Sequence, residues 1–333
     1  MSATLTRISD RLEIVTATNP VHVATFAEDV QSGLGAHPRQ LNPKYFYDDL
    51  GSTLFDAITR LPEYYLTRAE TEILREYGWE IVRQLRTPFE VLELGSGSAI
   101  KTRLLIEEAL RVQRSLRYCP IDISPEALRA SAESLVGAYR ELHVTAYAAD
   151  YFAILGTSDL VLRRPVLALL LGSNIGNYRP VEAHRLLAAL ARSLRPGDAL
   201  LMGADLKKDP HTLELAYNDP TGVTAAFDRN VLGRINRELG GDFDLEQFRH
   251  VAHYDAERGV VDSFLESRVA QHVRIAALGL DLTFESGERI HTESSYKFSL
   301  EDLRVLGAAA GFSLTRTWYD KDERFSVNLF TRT

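Results

Sequence analysis

Phe89-Glu-Val-Leu-Glu-Leu-Gly-Ser-Gly-Ser-Ala-Ile-Lys101 is the stretch on which the fold turns. Its first half is apolar and β-favouring, and its second half breaks on Gly95 and Gly97 before a helical pattern begins. This predicts a strand feeding a tight turn. Glycine lets the backbone approach a ligand there, and the amides of the following helix point at the same place. Downstream the alternation is regular. A helix is expected around 100–112, a strand around 116–121 closing on Asp122, and a helix near 125–139 entered through the N-cap and first-turn pair Ser124-Pro125. A strand near 143–148 then leads to Asp150-Tyr151. The next strand, Pro165-Val-Leu-Ala-Leu-Leu-Leu-Gly172, is continuously apolar, as befits a strand covered on both faces. It ends in Gly172-Ser-Asn-Ile-Gly-Asn177, and a helix around 180–194 carries the chain to the apolar strand Ala199-Leu-Leu-Met-Gly203. Five strands alternating with helices predict an α/β fold built on a doubly wound, Rossmann-like parallel sheet.

Upstream, residues 12–36 are expected as helix, 52–61 as a short helix, and Thr67-Arg-Ala-Glu70 as a capping box opening a long amphipathic helix. Tyr45, Tyr47, Tyr64 and Tyr65 crowd the intervening region, and as large amphipathic rings they suit a core as well as a site. The alternation stops after about residue 207. Helical patterns and a Gly240-Gly241 break lead into strands, including Leu280-Asp-Leu-Thr-Phe284, which is expected to turn at Ser286-Gly287 and pair with 288–293. A helix at 299–311 and strands at 313–319 and 325–331 complete the chain. The domains expected are therefore 69–207 with 298–333, forming the α/β domain, and 16–68 with 208–297, forming a second α+β domain.

The chain has 333 residues, a formal net charge of −8 and one cysteine, Cys119. One cysteine precludes an internal disulfide and a thiolate zinc cluster. The acidic balance, with no clustered Lys or Arg, argues against nucleic acid or an anionic membrane as partner. No run approaches the roughly 18 apolar residues of a membrane span. The first ten residues lack a basic segment followed by an apolar one, so a cytoplasmic protein is expected. A monomer acting on a small molecule fits these limits.

The dinucleotide fingerprint needs a third glycine where this chain has Ile100, which disfavours a pyrophosphate cofactor. Glu93 stands before the glycines, Asp122 closes the next strand, and Asp150 with Tyr151 closes the one after. A carboxylate at the second strand end can accept both hydroxyls of a ribose, and Asp150-Tyr151 can meet an adenine edge. Together they describe an adenosine pocket without a phosphate grip, which suits S-adenosylmethionine. His250 and His253 are three apart, and one pair of histidines is too little for a metal site; no metal is expected.

At Leu41–Gly51, Pro62–Arg68, Glu93–Thr102, Gly172–Asn177, Thr221–Asn230, Asn236–Leu239 and Thr292–Phe298 the chain resembles the S-adenosylmethionine-dependent histidine Nα-methyltransferases of ergothioneine biosynthesis. The resemblance runs from about residue 20 to the end. It implies a class I methyltransferase domain with a family-specific substrate domain, and trimethylation of the α-amino group of L-histidine to hercynine with release of S-adenosyl-L-homocysteine. Cofactor contacts carry over to Gly95, Lys101, Asp122, Asp150 and Tyr151, the last two standing for an Asp-Phe pair. Substrate contacts carry over to Tyr64, Asn177, Tyr217, Glu293, Ser294 and Ser295, and Tyr47 falls near the amine. Tyr47 and Asn177 are the residues expected at the reacting nitrogen. Ser263 stands where the resemblance leads to methionine, a change that widens the ring site. Two other readings remain open: an α-N-methyltransferase for another amino acid such as a tryptophan derivative, and a non-catalytic adenosine-binding module.

Overall fold

The computed structural model describes residues 4–16, 25–163 and 165–333. The chain divides into two compact units, one of Met1–Val21, Arg68–Leu206 and Phe298–Thr333, the other of His22–Thr67 and Lys207–Lys297. Strands among the described residues are numbered in chain order: β1 Thr4–Ser9, β2 Leu12–Thr16, β3 Arg39–Gln40, β4 Glu90–Leu94, β5 Leu116–Asp122, β6 Leu142–Ala148, β7 Val166–Leu170 and β8 Ala199–Asp205. Then follow β9 Phe248–Asp255, β10 Val260–Ser267, β11 Gln271–Ile275, β12 Leu280–Phe284, β13 Arg289–Tyr296, β14 Phe312–Tyr319 and β15 Phe325–Arg332.

The first unit holds a nine-stranded sheet in the order β1-β2-β6-β5-β4-β7-β8-β15-β14. Strands β2 and β4 to β8 are mutually parallel along it, and β1, β15 and β14 add antiparallel edges. Every residue of β4, β7 and β8 is buried. Burial on both faces makes β7 continuously apolar, and β8 apolar up to its last residue, rather than alternating, whereas β4 carries Glu90 and Glu93 into the interior. From β4 the chain moves outward through β5 to β6 and then returns to β7 on the other side. The carboxyl end of β4 is therefore a topological switch point, where open α/β sheets bind ligands.

Three expectations are corrected here. Residues 12–16 are strand, paired as a hairpin with β1 and joined to β6; helix begins only at Phe26, and residues 17–24 lie outside the described residues. The helix Leu66–Arg83 already includes Thr67, so Thr67 is not its N-cap; the Glu70 carboxylate accepts from the amide of Gly172 at 2.8 and 2.9 Å and from the ammonium of Lys101. Strand β12 does not pair with β13 across Ser286-Gly287. It pairs with β11, and β13 pairs antiparallel with β10 and parallel with β3.

The second unit is α+β. Its sheet runs β3-β13-β10-β9, beside the two-stranded β11-β12 ribbon. The helix Val223–Leu239 buries Phe227, Val231, Leu232 and Ile235 in a core shared with Val30, Leu34, Phe46, Phe248 and Phe284. The N-terminal segment is tied to that helix by Asn230 Nδ2, which donates to Asp48 at 2.7 Å, and by the Phe46–Phe227 ring contact at 4.9 Å.

Candidate functional site

In the first unit the site grows from the glycine turn after β4. Gly95 has φ +72°, and a Cβ there would run into the Tyr151 hydroxyl and stand 3.2 Å from the Asn174 amide nitrogen. Gly97 has φ +47°, and nothing lies within 4 Å of where a Cβ would stand, so backbone conformation rather than crowding requires glycine and the space beside it is open. Asp122 holds the turn: its carboxylate accepts from the Gly97 amide at 3.1 Å and the Ser124 amide at 3.0 Å. Two oxygens offer about four acceptor positions, so Asp122 retains capacity for a diol. Asp150 caps the next short helix by accepting from the Phe152 amide at 2.8 Å. Tyr151 lies against Gly95, and its phenol is pushed upward, by burial first and then by Tyr178, Asp122 and Asp150, so it stays protonated. Ile123 and Phe152, 55% and 46% exposed, follow Asp122 and Tyr151 directly and give the carboxyl edge an apolar rim suited to a purine.

Beneath this edge lies a buried charge cluster. Glu70, fully buried, packs where a Cβ on Gly203 of β8 would collide with its carboxylate, and pairs with Lys101. Lys101 keeps 23% of its side chain exposed, so an ammonium fixed from below still offers donors to a carboxylate above. Glu93 does not reach toward a ligand. It is 3% exposed and accepts from Thr102 Oγ1 at 2.6 Å and from the Tyr118 hydroxyl, clamping the start of the following helix to β5. Burial pushes its carboxyl up to about 7, against the opposing pull of Thr102, Tyr118 and Lys101. A cavity of about 350 Å³ lies at the opposite edge of the sheet, lined by Glu90, Arg117 and His143 near the strand starts, and so lies away from the switch point.

In the second unit a different set converges. Tyr47 meets Phe55 and Phe227 at 5.5 and 5.6 Å between ring centroids, Phe55 meets Tyr64 at 6.2 Å, and Tyr64 meets Tyr217 at 6.3 Å. Of the four crowded tyrosines, Tyr45 and Tyr65 are core, their hydroxyls bonded to Asp29 and Lys208, whereas Tyr47 and Tyr64 line this aromatic wall. Glu293 and Ser295 stand on one face of β13 by the two-residue strand period. A β-bulge there sets Ser263 opposite Glu293 and Phe264 opposite His291, skipping Thr292 and re-aiming the strand. Ser263, 4% exposed, is thus the cross-strand neighbour of Glu293. Ser294 faces the other way, donating to Asp262 at 2.5 Å and bonded to His291 at 3.0 Å.

Ser295 Oγ and Tyr217 Oη lie 2.8 Å apart, and buried Lys297 donates to both. The two hydroxyls and the ammonium form one cluster. Half-buried Glu293 is pushed up to about 7, by burial first and then by Asp228, while Lys297, His250 and His291 pull it down. The Tyr47 hydroxyl is also pushed upward, by burial and then by Glu293 and Tyr217, although 48% of the residue as a whole is exposed. The ring nitrogens of His250 meet Asp228 at 2.6 Å and the Tyr217 carbonyl at 2.7 Å. Burial pulls His250 down, but Asp228 and that carbonyl raise it overall, and two acceptors suit the imidazolium. His253 instead meets Glu214 at 3.0 Å on the surface. Asn177 belongs to the first unit, exposed at the end of the short 3₁₀ turn after β7.

A family model described as histidine-specific methyltransferase, SAM-dependent, matches residues 26–332. The chain belongs to this family. It is 43% identical over 304 residues to the histidine N-alpha-methyltransferase of Mycolicibacterium smegmatis, covering 91% of this chain and 94% of that one. Ergothioneine biosynthesis protein 1 of Schizosaccharomyces pombe is 28% identical over 302 residues, 88% of this chain but 39% of that longer protein. The 4-dimethylallyltryptophan N-methyltransferase of Claviceps purpurea is 23% identical over 313 residues, covering 87% and 90%. Family membership makes this chain an S-adenosylmethionine-dependent N-methyltransferase with a Rossmann-like fold. The glycine turn fits that donor: open space at Gly97, a diol acceptor at Asp122 and a carboxylate partner at Lys101.

Four residues of the two clusters escaped the sequence: Glu70, Asp228, His250 in its pairing role, and Lys297. Lys297 was the most legible, since it continues the two-residue period of Glu293 and Ser295.

Proposed function

We propose that this enzyme transfers three methyl groups in succession from S-adenosylmethionine to the α-amino group of L-histidine, yielding hercynine and three S-adenosylhomocysteine. The observation that carries the substrate is the ring site on β13, where Glu293, an acceptor when ionised, shares a face with the hydroxyl of Ser295 inside an aromatic wall. Such a pair complements both nitrogens of an imidazole. An indole has one N–H and no acceptor, which speaks against a tryptophan derivative.

Gly95, Asp122, Asp150, Tyr151 and Lys101 would hold the donor, which supplies an electrophilic sulfonium methyl when bound. The remaining work is alignment and desolvation. Asn177 can hold the α-amino and carboxylate region, because its amide both donates and accepts. Tyr47 keeps its proton, so it orients the amine rather than acting as a base, and the amine proton leaves to water. Incubating the purified protein with labelled S-adenosylmethionine and each of the twenty amino acids tests the reading. Label is expected in histidine; preferential label in tryptophan, or in none, would overturn it.

A further inference from the structure

Lys297 is 2% exposed, and its ammonium donates to Tyr217 Oη at 2.7 Å and to Ser295 Oγ at 2.9 Å. It also lies 4.4 Å from the centre of the Tyr217 ring. An ammonium only donates, so both oxygens must accept from it. Between the two oxygens, 2.8 Å apart, one proton is shared. A phenol is a far stronger acid than an aliphatic alcohol and a poorer acceptor, so Tyr217 donates to Ser295. Both lone pairs of Ser295 are then filled, by Lys297 and Tyr217, and its own proton can go only to an acceptor outside the triangle. Two residues along the same strand face, ionised Glu293 can only accept.

Resting on the histidine reading above, we propose that Lys297 is a positioning residue that selects the ring: by donating to Tyr217 and Ser295 it fixes the Ser295 hydroxyl as a donor, so the site takes a neutral imidazole and rejects aromatic rings lacking an acceptor nitrogen. A neutral imidazole offers one N–H to Glu293 and one lone pair to Ser295. A pyrrole leaves Ser295 without an acceptor. An imidazolium presents a second N–H to a hydroxyl that is itself a donor, with the Lys297 charge behind it.

The test compares histidine with the pyrrol-2-yl and pyrrol-3-yl alanines, which keep one ring N–H and replace the acceptor nitrogen by C–H. The full-length enzyme is used at saturating S-adenosylmethionine, and kcat/KM is measured for each substrate. The wild type is expected to prefer histidine by at least about a hundredfold, since a site built to hydrogen-bond a group strongly rejects analogues lacking it. In Lys297→Met that preference is expected to fall at least roughly tenfold, because the Ser295 hydroxyl regains the freedom to turn. A folding role alone would lower both substrates together and leave the ratio unmoved. Should Lys297→Met fail to fold, Lys297→Leu, likewise without a donor, reads the same ratio. An unchanged ratio in the folded variant overturns this inference alone. Absence of histidine methylation by the wild type overturns the functional reading and this inference with it.

Discussion

Glu293→Ala removes the acceptor on which the proposed choice of histidine rests. A hydrogen bond to a charged group contributes about 1.5–3 kcal/mol, and each 1.4 kcal/mol is a factor of ten, so histidine affinity should fall roughly 10- to 150-fold. Half-burial of Glu293 places the expected value in the lower part of that range, about 10- to 50-fold. Stability moves the other way. The carboxyl is held up to about 7, by burial and then by Asp228. A raised folded-state value means that its stabilising contribution is complete below the unfolded value near 4.5, and is lost as pH rises through about 7. The variant lacks that loss, so its Tm relative to wild type should be higher at about pH 8 than at about pH 5. Calorimetric titration of histidine into protein saturated with S-adenosylhomocysteine measures the first effect, and thermal scans at the two pH values measure the second. Unchanged histidine affinity would refute the reasoning, as would a parallel loss of S-adenosylhomocysteine binding, which would signal general damage.

Other perturbations probe the remaining parts of the site. Histidine affinity should fall below about pH 7 with the uptake of two protons, one by Glu293 and one by the imidazole, which titrates near 6.5; in Glu293→Gln one proton should remain, and the slope of log Kd against pH reads the difference. Glu70→Gln leaves Lys101 beside an uncharged amide and removes half of a buried pair, so urea unfolding should show a loss of at least about 2 kcal/mol, with weaker S-adenosylhomocysteine binding. Asp122→Ala deprives the Gly97 and Ser124 amides of their acceptor and a ribose of its partner, and calorimetry should show S-adenosylhomocysteine affinity reduced roughly tenfold or more, with histidine recognition residues untouched.

The parallel core was legible because burial on both faces writes itself as uninterrupted apolar runs, as in Val166–Leu170. The N-terminal hairpin was not, because β1 is almost wholly exposed and so carries no core-facing alternation. Strand β12 was paired with β13 on the strength of the Ser286-Gly287 turn between them. The antiparallel partner of β13 is β10, more than twenty residues upstream, and its parallel partner is β3; periodicity says nothing about which distant strand pairs with which. Thr67 and Glu70 carried a local capping signature, but the helix already includes Thr67, and the Glu70 carboxylate accepts from the distant Gly172 amide and Lys101. Glu293 and Ser295 carry no intrinsic mark as strand residues, and only the family resemblance singled them out. Nothing in the sequence linked Asp228 to His250; that they meet at 2.6 Å, buried, is set by the packing of the Val223–Leu239 helix on β9.

Successive methylation of histidine at one nitrogen is the central claim. The most direct measurement is mass spectrometry of the amino-acid product through a time course with excess S-adenosylmethionine, with S-adenosylhomocysteine quantified in parallel. Histidine is predicted to end as the trimethylated betaine, with three S-adenosylhomocysteine formed per histidine consumed and the added mass located on the α-nitrogen by fragmentation. Methyl groups on the imidazole ring, or a reaction that stops with one S-adenosylhomocysteine per histidine, would contradict it.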